Sequence, residues 1–379
     1  MIFVVLTCVI FLSAYLAYMY VANIFQVYVY DEHLSAIFIP SANIRAQRLS
    51  LLVFILCMLK SLQNLERQRW LMLISMACLI IAVAIPTTVK SYPFIPGFSS
   101  VVLDLTEPWR QLFVPPAWRA TIEGITEGLT GFIDISSIMT ENHLIYRLFH
   151  YNHHAGIIYT LILAALFAKL TQKLDGDSLE IKQKPKSIKS LFTEYPYIFI
   201  LALFSGLNTG IFSYTYILAK EALPTLPAQY YQSCIYAGSI FGPMIVGRIA
   251  DKKGIFLTIV WVGALMVPVK ILSASFFLMQ LSSSVIYYIP AGLEGALAVS
   301  LWTLSLSLVG ERLRIYGIFR AFALSNLTFS IGMLMASRFY EFFIASFFQT
   351  KLMMGFADLF IIGLLIYFYK KYSKIDKNA

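Results

Sequence analysis

The sequence predicts an all-α polytopic membrane protein of about ten spanning helices, with a regular second half and an atypical first half. Three observations carry this. Hydrophobic residues make up 59% of the chain and charged residues only 13%, against roughly 25% charged in soluble domains. Apolar runs of about 18 residues recur, each long enough for a helix to cross a bilayer. In the second half the loops between runs alternate between mildly polar and basic, as they do when Lys and Arg stay on the cytoplasmic side.

The first span is expected over about 2–28. Residues 1–30 lack a basic leading region and are too long for a signal-peptide core, so this span is expected to remain. A polar stretch with Asp31, Glu32, Arg45 and Arg48 follows. Residues 49–62 form a shorter apolar run ending near Lys60, which reads as a tilted span with a snorkelling lysine or as an interfacial helix. The next span covers about 70–89.

Residues 90–152 differ in kind. They hold prolines at 93, 96, 108, 115 and 116 and acids at 104, 107, 123, 127, 134 and 141. Trp109 and Trp118 are spaced as interfacial anchors, and 117–140 has an amphipathic pattern weakened by Gly124, Gly128 and Gly131. The reading is an extracytoplasmic insertion lying on the membrane surface. Another span covers about 153–170. The N-terminal membrane half is thus 1–172, with four spans. The basic stretch 173–194, with lysines 173, 182, 184, 186 and 189, is a cytoplasmic linker.

The second half, 195–371, is regular. Spans fall at about 196–219, 229–249, 255–278, 284–309, 315–338 and 352–369, and a basic tail occupies 372–379. Its basic loops (Arg248-Lys252-Lys253, then Arg312-Arg314-Arg320, then the tail) place both termini in the cytoplasm. The expected location is therefore a cell (inner or plasma) membrane. The net charge of +9 is a matter of orientation and not a nucleic-acid footprint. The four cysteines, Cys8, Cys57, Cys78 and Cys234, lie in apolar runs and read as small buried residues.

Between the second and third of these six spans stands Phe241-Gly242-Pro243-Met244-Ile245-Val246-Gly247-Arg248-Ile249-Ala250-Asp251-Lys252-Lys253-Gly254. Gly242 and Gly247 let helices approach closely in lipid, and Gly254 permits a tight reversal. This stretch resembles the signature loop of the major facilitator superfamily (MFS) of transporters, G-x-L-A-D-R-x-G-R-R. The Gly, Ala, Asp, first basic residue and second Gly are in place, and Ile255 and Phe256 replace the trailing basic pair. The resemblance covers the six-helix C-terminal half. It implies a second such half arranged as a repeat, from which the first half departs, with four spans and no signature loop. It also implies a gate in which Asp251 pairs with basic groups and helix termini, with Arg248, Lys252, Gly247 and Gly254 around it.

Charge inside the membrane is costly and usually functional. Glu294, between Gly292 and Gly295, and Asp358, in the last span, are candidates for proton coupling, the alternative being carboxylates satisfied by neighbours. Asn208, Tyr214 and Tyr216, near Gly206 and Gly210, and Ser325 with Asn326 are candidates for a substrate cavity. Such groups serve as often in helix–helix hydrogen bonds. His150, His153 and His154, with His143 upstream, have a spacing that suits a metal or haem, but they read more simply as boundary residues, and no metal or cofactor is expected. The chain has no phosphate-binding loop, G-x-S-x-G elbow or H-E-x-x-H helix, so no enzymatic activity is expected and a gradient must supply the energy. The expected function is a secondary transporter, symporter or antiporter, that moves a small solute by alternating access coupled to protons. Its partners are that solute, a coupling ion and the lipid bilayer, with no nucleic acid. The alternative is a membrane sensor or signalling module that has kept transporter-like helices, and a multi-pass lipid enzyme lacks an acid–base pair.

Overall fold

The structure, a computed structural model, describes residues 6–7, 9–10, 51–59, 64–84, 94–139, 153–172, 186–222, 228–279, 285–313, 317–342 and 347–376. Among these, all regular structure is helical. After a short helical stretch at 51–57 come α1 (Leu65–Ala84), α2 (Phe94–Phe113), a 3-10 turn (Pro116–Trp118), α3 (Arg119–Met139) and α4 (His153–Gln172). They are followed by α5 (Ile188–Glu194), α6 (Pro196–Ala222), α7 (Ala228–Lys253), α8 (Ile255–Met279), α9 (Val285–Arg312), α10 (Ile318–Phe342) and α11 (Phe347–Asp376).

Six described helices are long and apolar enough to cross a membrane, or seven if the bent pair α5–α6 counts as one span. The expected spans of the second half coincide with α6 to α11 to within a few residues. The first expected span lies almost wholly outside the described residues. The chain is an integral multi-pass membrane protein, and its side chains are sorted accordingly. On α11, Phe356, Leu359 and Phe360 are exposed while Lys351 and Asp358 are buried. Apolar groups face outward and charges inward, as a surrounding lipid requires.

The helices form two compact units. One comprises Met1–Pro115, Phe132–Pro185 and Arg312–Leu327, and the other Pro116–Gly131, Lys186–Glu311 and Thr328–Ala379. The divisions fall at the turn after α2, inside α3, between Pro185 and Lys186 within the basic stretch 173–194, at the end of α9 and inside α10. In the first unit α1 packs on α2 and α4. Trp109 of α2 is fully buried, with Phe167 of α4 at 5.2 Å and Phe319 of α10 at 5.4 Å between ring centroids. Arg320 at the start of α10 donates through Nε to the Met58 carbonyl at 3.2 Å, just past the helical stretch 51–57. There it satisfies a carbonyl left open at a helix end.

The stretch 90–152, read as a surface insertion, is helical in its described residues. Residues 94–139 hold two helices of 20 and 21 residues joined by a tight turn. Prolines 115 and 116 stop α2 and open the turn, because neither can donate to a continuing helix. The acids do not mark a water-exposed segment, since Glu107 and Glu123 are buried. Trp109 is a core residue and not an interfacial anchor. Gly124, Gly128 and Gly131 do not merely weaken α3; they let α7 lie directly on it. A Cβ at Gly124 would fall 2.2 Å from the Pro243 carbonyl oxygen, and one at Gly128 2.6 Å from that of Ile240.

The second unit uses the same device between α7 and α9. A Cβ at Gly238 would fall 1.8 Å from the Gly292 carbonyl oxygen, and one at Gly295 1.9 Å from that of Ile235. Lipid gives apolar helices no hydrophobic reason to associate, so close backbone packing between small residues carries much of the cohesion. Gly363 on α11, by contrast, has open space around it. Gly238→Leu should therefore abolish monodisperse folded protein in size-exclusion chromatography, at or above the ~1–3 kcal/mol typical of overpacking. Gly363→Leu should elute as wild type, and equal behaviour of the two variants would contradict this packing.

Candidate functional site

Two sites stand out in the second unit: the end of α7 where it meets α3, and a set of charges buried among α6, α8, α9 and α11.

The residues around Asp251 are not a loop. Phe241–Lys253 continue α7, and only Gly254 breaks the helix, with φ +99° and its N–H donating to the Ala250 carbonyl at 2.8 Å. This is the left-handed C-terminal cap that glycine favours. The first turn of α3 needs a cap, and its own sequence supplies none, because Pro115-Pro116-Ala117-Trp118 offers no Ser, Thr, Asp or Asn. Asp251 serves instead. Its Oδ1 accepts from the Ala120 N–H at 3.1 Å, and its Oδ2 accepts from the Thr121 N–H at 2.8 Å and the Thr121 hydroxyl at 2.5 Å. A carboxylate facing the positive end of a helix dipole is well placed. Gly247 allows the approach, since a Cβ there would fall 2.2 Å from the Ala120 carbonyl oxygen. Of the two basic partners expected for Asp251, Arg248 lies over the Trp118 ring at 4.5 Å and Lys252 is exposed. The cation–π contact leaves the acid to the helix N-terminus.

The buried charges come in two sets. Lys270 of α8 bonds to both Asp358 of α11 and the Asn208 side-chain oxygen of α6. Asn208 Nδ2 donates to the Phe204 carbonyl at 3.0 Å and to Asp358 Oδ1 at 3.3 Å. Both oxygens of Asp358 are thus engaged. One to two turns away, Lys351 of α11 pairs with Glu294 Oε2 of α9. Glu294 and Lys351 are 2% and 1% exposed. Glu294 Oε1 is buried with no hydrogen-bond partner among the described residues. Lys351 and Asp358 are seven residues apart, which puts them on one face of α11 about 10 Å apart. The two pairs act electrostatically on each other, and the fully buried Tyr231 of α7 also feels Glu294.

Of the proposed cavity residues, Asn208 belongs to this network. Asn326 donates to Glu107 at 2.7 Å in the first unit, where both are buried. Ser325 is fully buried, with its hydroxyl unpartnered among the described residues. Tyr214 and Tyr216 lie on α6, but their side chains are outside the described residues, as are His143, His150 and the side chains of His153 and His154. Among the described residues no group of three or more His, Cys, Asp or Glu could hold a metal.

The sequence reading weighs only acids and misses both lysines. Lys270 interrupts the apolar run 255–279 near its middle, which is the same signal that singles out Glu294. Lys351 sits at the edge of the last run and is hidden by an assumed start at 352. The helix instead begins at Phe347.

No family model matches the sequence, and no curated protein does. Solved structures do. The proton:xylose symporter XylE superposes with a TM-score of 0.71 at 13% identity, over 98% of this chain and 95% of that one. The human organic anion transporter MFSD10 gives 0.67 at 15% identity, over 96% and 99%. The E. coli fucose:proton symporter FucP gives 0.64 at 12% identity, over 96% and 98%.

This chain has the MFS fold.

The likeness is not confined to 195–371. It covers nearly the whole chain, so the first half shares the MFS fold and is not a different module.

Removing one partner from a buried pair strands a charge. Lys270→Ala should lower stability by about 3–5 kcal/mol, read as a fall in the unfolding temperature of the purified protein. The double variant Lys270→Met with Asp358→Leu, which leaves no lone charge, should recover most of that loss. An undisturbed Lys270→Ala protein would contradict the burial.

Proposed function

We propose that this protein is a secondary transporter that moves a small solute by alternating access and is coupled to protons through Glu294. The observation that carries the coupling is the inequality of the two buried carboxylates. Asp358 has both oxygens bonded to fixed groups. Glu294 is equally buried but has one oxygen held by Lys351 and the other unpartnered among the described residues. That free oxygen is the acceptor this reading assigns to the proton. When the proton binds there, Glu294 becomes neutral and Lys351 loses its counter-ion. The next most stable arrangement then differs from the present one, as coupling requires.

Asp251 is the gate acid in this reading. Opening at this end must free the α3 N-terminus from its carboxylate. Counting α2 and α3 as spans, together with the two expected before α1, raises the number from ten to twelve. An even number keeps both termini on one side, and positive loops favour the cytoplasm. Ala120 and Thr121 touch Asp251, so this turn shares the face of the basic α7–α8 reversal.

The neighbours that name a coupling ion are a fucose:proton and a proton:xylose symporter, which supports proton coupling here without naming the solute. The direct experiment compares metabolites inside and outside cells that have or lack the protein. For a solute found to move, Glu294→Gln should abolish uphill accumulation driven by a pH gradient while leaving exchange of the same solute. Intact accumulation in a well-expressed variant removes Glu294 from coupling. Asp251→Asn keeps an acceptor but loses the charge, at a cost of about 1 kcal/mol in the closed gate. It should slow transport several-fold with little loss of folded protein, and unchanged initial rates would take Asp251 out of the gate.

A further inference from the structure

At one end of the second unit three helix ends are drawn together by aromatic rings. Tyr369 near the end of α11 stacks on Phe256 at the start of α8, with centroids 3.5 Å apart and planes 7° from parallel. Tyr197 at the start of α6 meets the same Tyr369 at 5.7 Å. The lysines beside these rings therefore gather at one end. Lys252 and Lys253 close α7, Lys370 follows Tyr369, and Lys189 lies on α5, and all four are exposed.

The short helix α5 lies here too, at 89° to α6. If α6 crosses the membrane, α5 lies along its surface. Leu191 is buried against the protein, and Phe192 packs its ring 4.5 Å from Phe199. Ile188, Lys189 and Phe192 are exposed and share one face, apolar side chains beside a cation, as in helices that rest in the headgroup layer. Two described acids at this end, Glu194 and Asp251, are already engaged. Glu194 is bonded to Lys186 and Ser190, and the Lys186 bond holds its carboxyl below the usual range, so it stays anionic and serves Lys186. Asp251 caps α3. Among the described residues no acid is bonded to Lys189, Lys252, Lys253 or Lys370.

We infer that this end of the unit binds the headgroup of an anionic phospholipid, with Lys189, Lys252, Lys253 and Lys370 as the cationic collar and Ile188 and Phe192 beside the acyl chains. Fixing membrane orientation needs basic loops but no particular lipid. The collar goes further, because packed aromatic rings hold cations from three separate segments around one in-plane helix. Each lysine near an anionic surface contributes about a fivefold factor in affinity, and salt weakens the effect.

The test uses the full-length protein in a nonionic detergent. Phosphatidylglycerol, phosphatidylcholine or inorganic phosphate is added at equal concentration, and bound lipid is followed by native mass spectrometry alongside the unfolding temperature. Phosphatidylglycerol should be retained and raise the unfolding temperature, less so at high salt, whereas phosphatidylcholine and phosphate should do neither. The quadruple variant K189Q/K252Q/K253Q/K370Q should lose this retention. The milder K189Q/K370Q should weaken it by about fivefold per lysine removed, which keeps the test open if the quadruple variant does not fold. Equal retention of the two lipids, an equal shift with phosphate alone, or wild-type retention by the milder variant would each overturn the inference.

Discussion

A charge taken out of water must find an opposite charge or give it up, and the second unit is arranged by that constraint. Four charged side chains from α8, α9 and α11 lie in its interior, two ammonium groups and two carboxylates. Breaking any one pair costs far more than a surface pair contributes. The pairing fixes which face of α11 turns inward, and that leaves Phe356, Leu359 and Phe360 to the lipid. It also ties α11 to α8 through Lys270 and to α9 through Glu294. Glycine contacts bring α7 against both α9 and α3, and Asp251 completes the link by capping α3 across the Gly247 contact. Packing of backbone on backbone and pairing of charge with charge thus do what hydrophobic burial does in water.

Much of this was legible in the chain. The second half could be read almost residue by residue, because each run is apolar and each break is basic or glycine-rich. Gly254 and Asp251 stood out because a signature loop frames them. The first half was less legible, for a physical reason. Helices that carry buried acids and prolines resemble surface segments when only composition is read, and nothing local in 94–139 shows that Glu107 meets Asn326 of α10 or that Glu123 is buried. Partners more than a hundred residues away are invisible to periodicity. The two lysines were missed differently. Lys270 was in plain view in an apolar run, whereas Lys351 was concealed by the error usual at helix ends.

The same long-range pairing explains why Glu294 and Asp358 looked interchangeable in sequence and differ in structure. Both are acids in an apolar run with a glycine within three residues. Asp358 falls where Asn208 and Lys270 together fill its coordination. Glu294 falls where Lys351 reaches only one oxygen and Tyr231 is the neighbouring polar side chain. One site is closed and serves cohesion, and the other has room for a proton. In the proposed function the open site takes the proton.

That division can be tested without knowing the solute. Infrared difference spectra of the purified protein, taken between neutral and acid pH, report the protonation of individual buried carboxyl groups. The account predicts a protonated-carboxyl band on acidification that disappears in Glu294→Gln and persists in Asp358→Asn. A band lost in Asp358→Asn and retained in Glu294→Gln would contradict it.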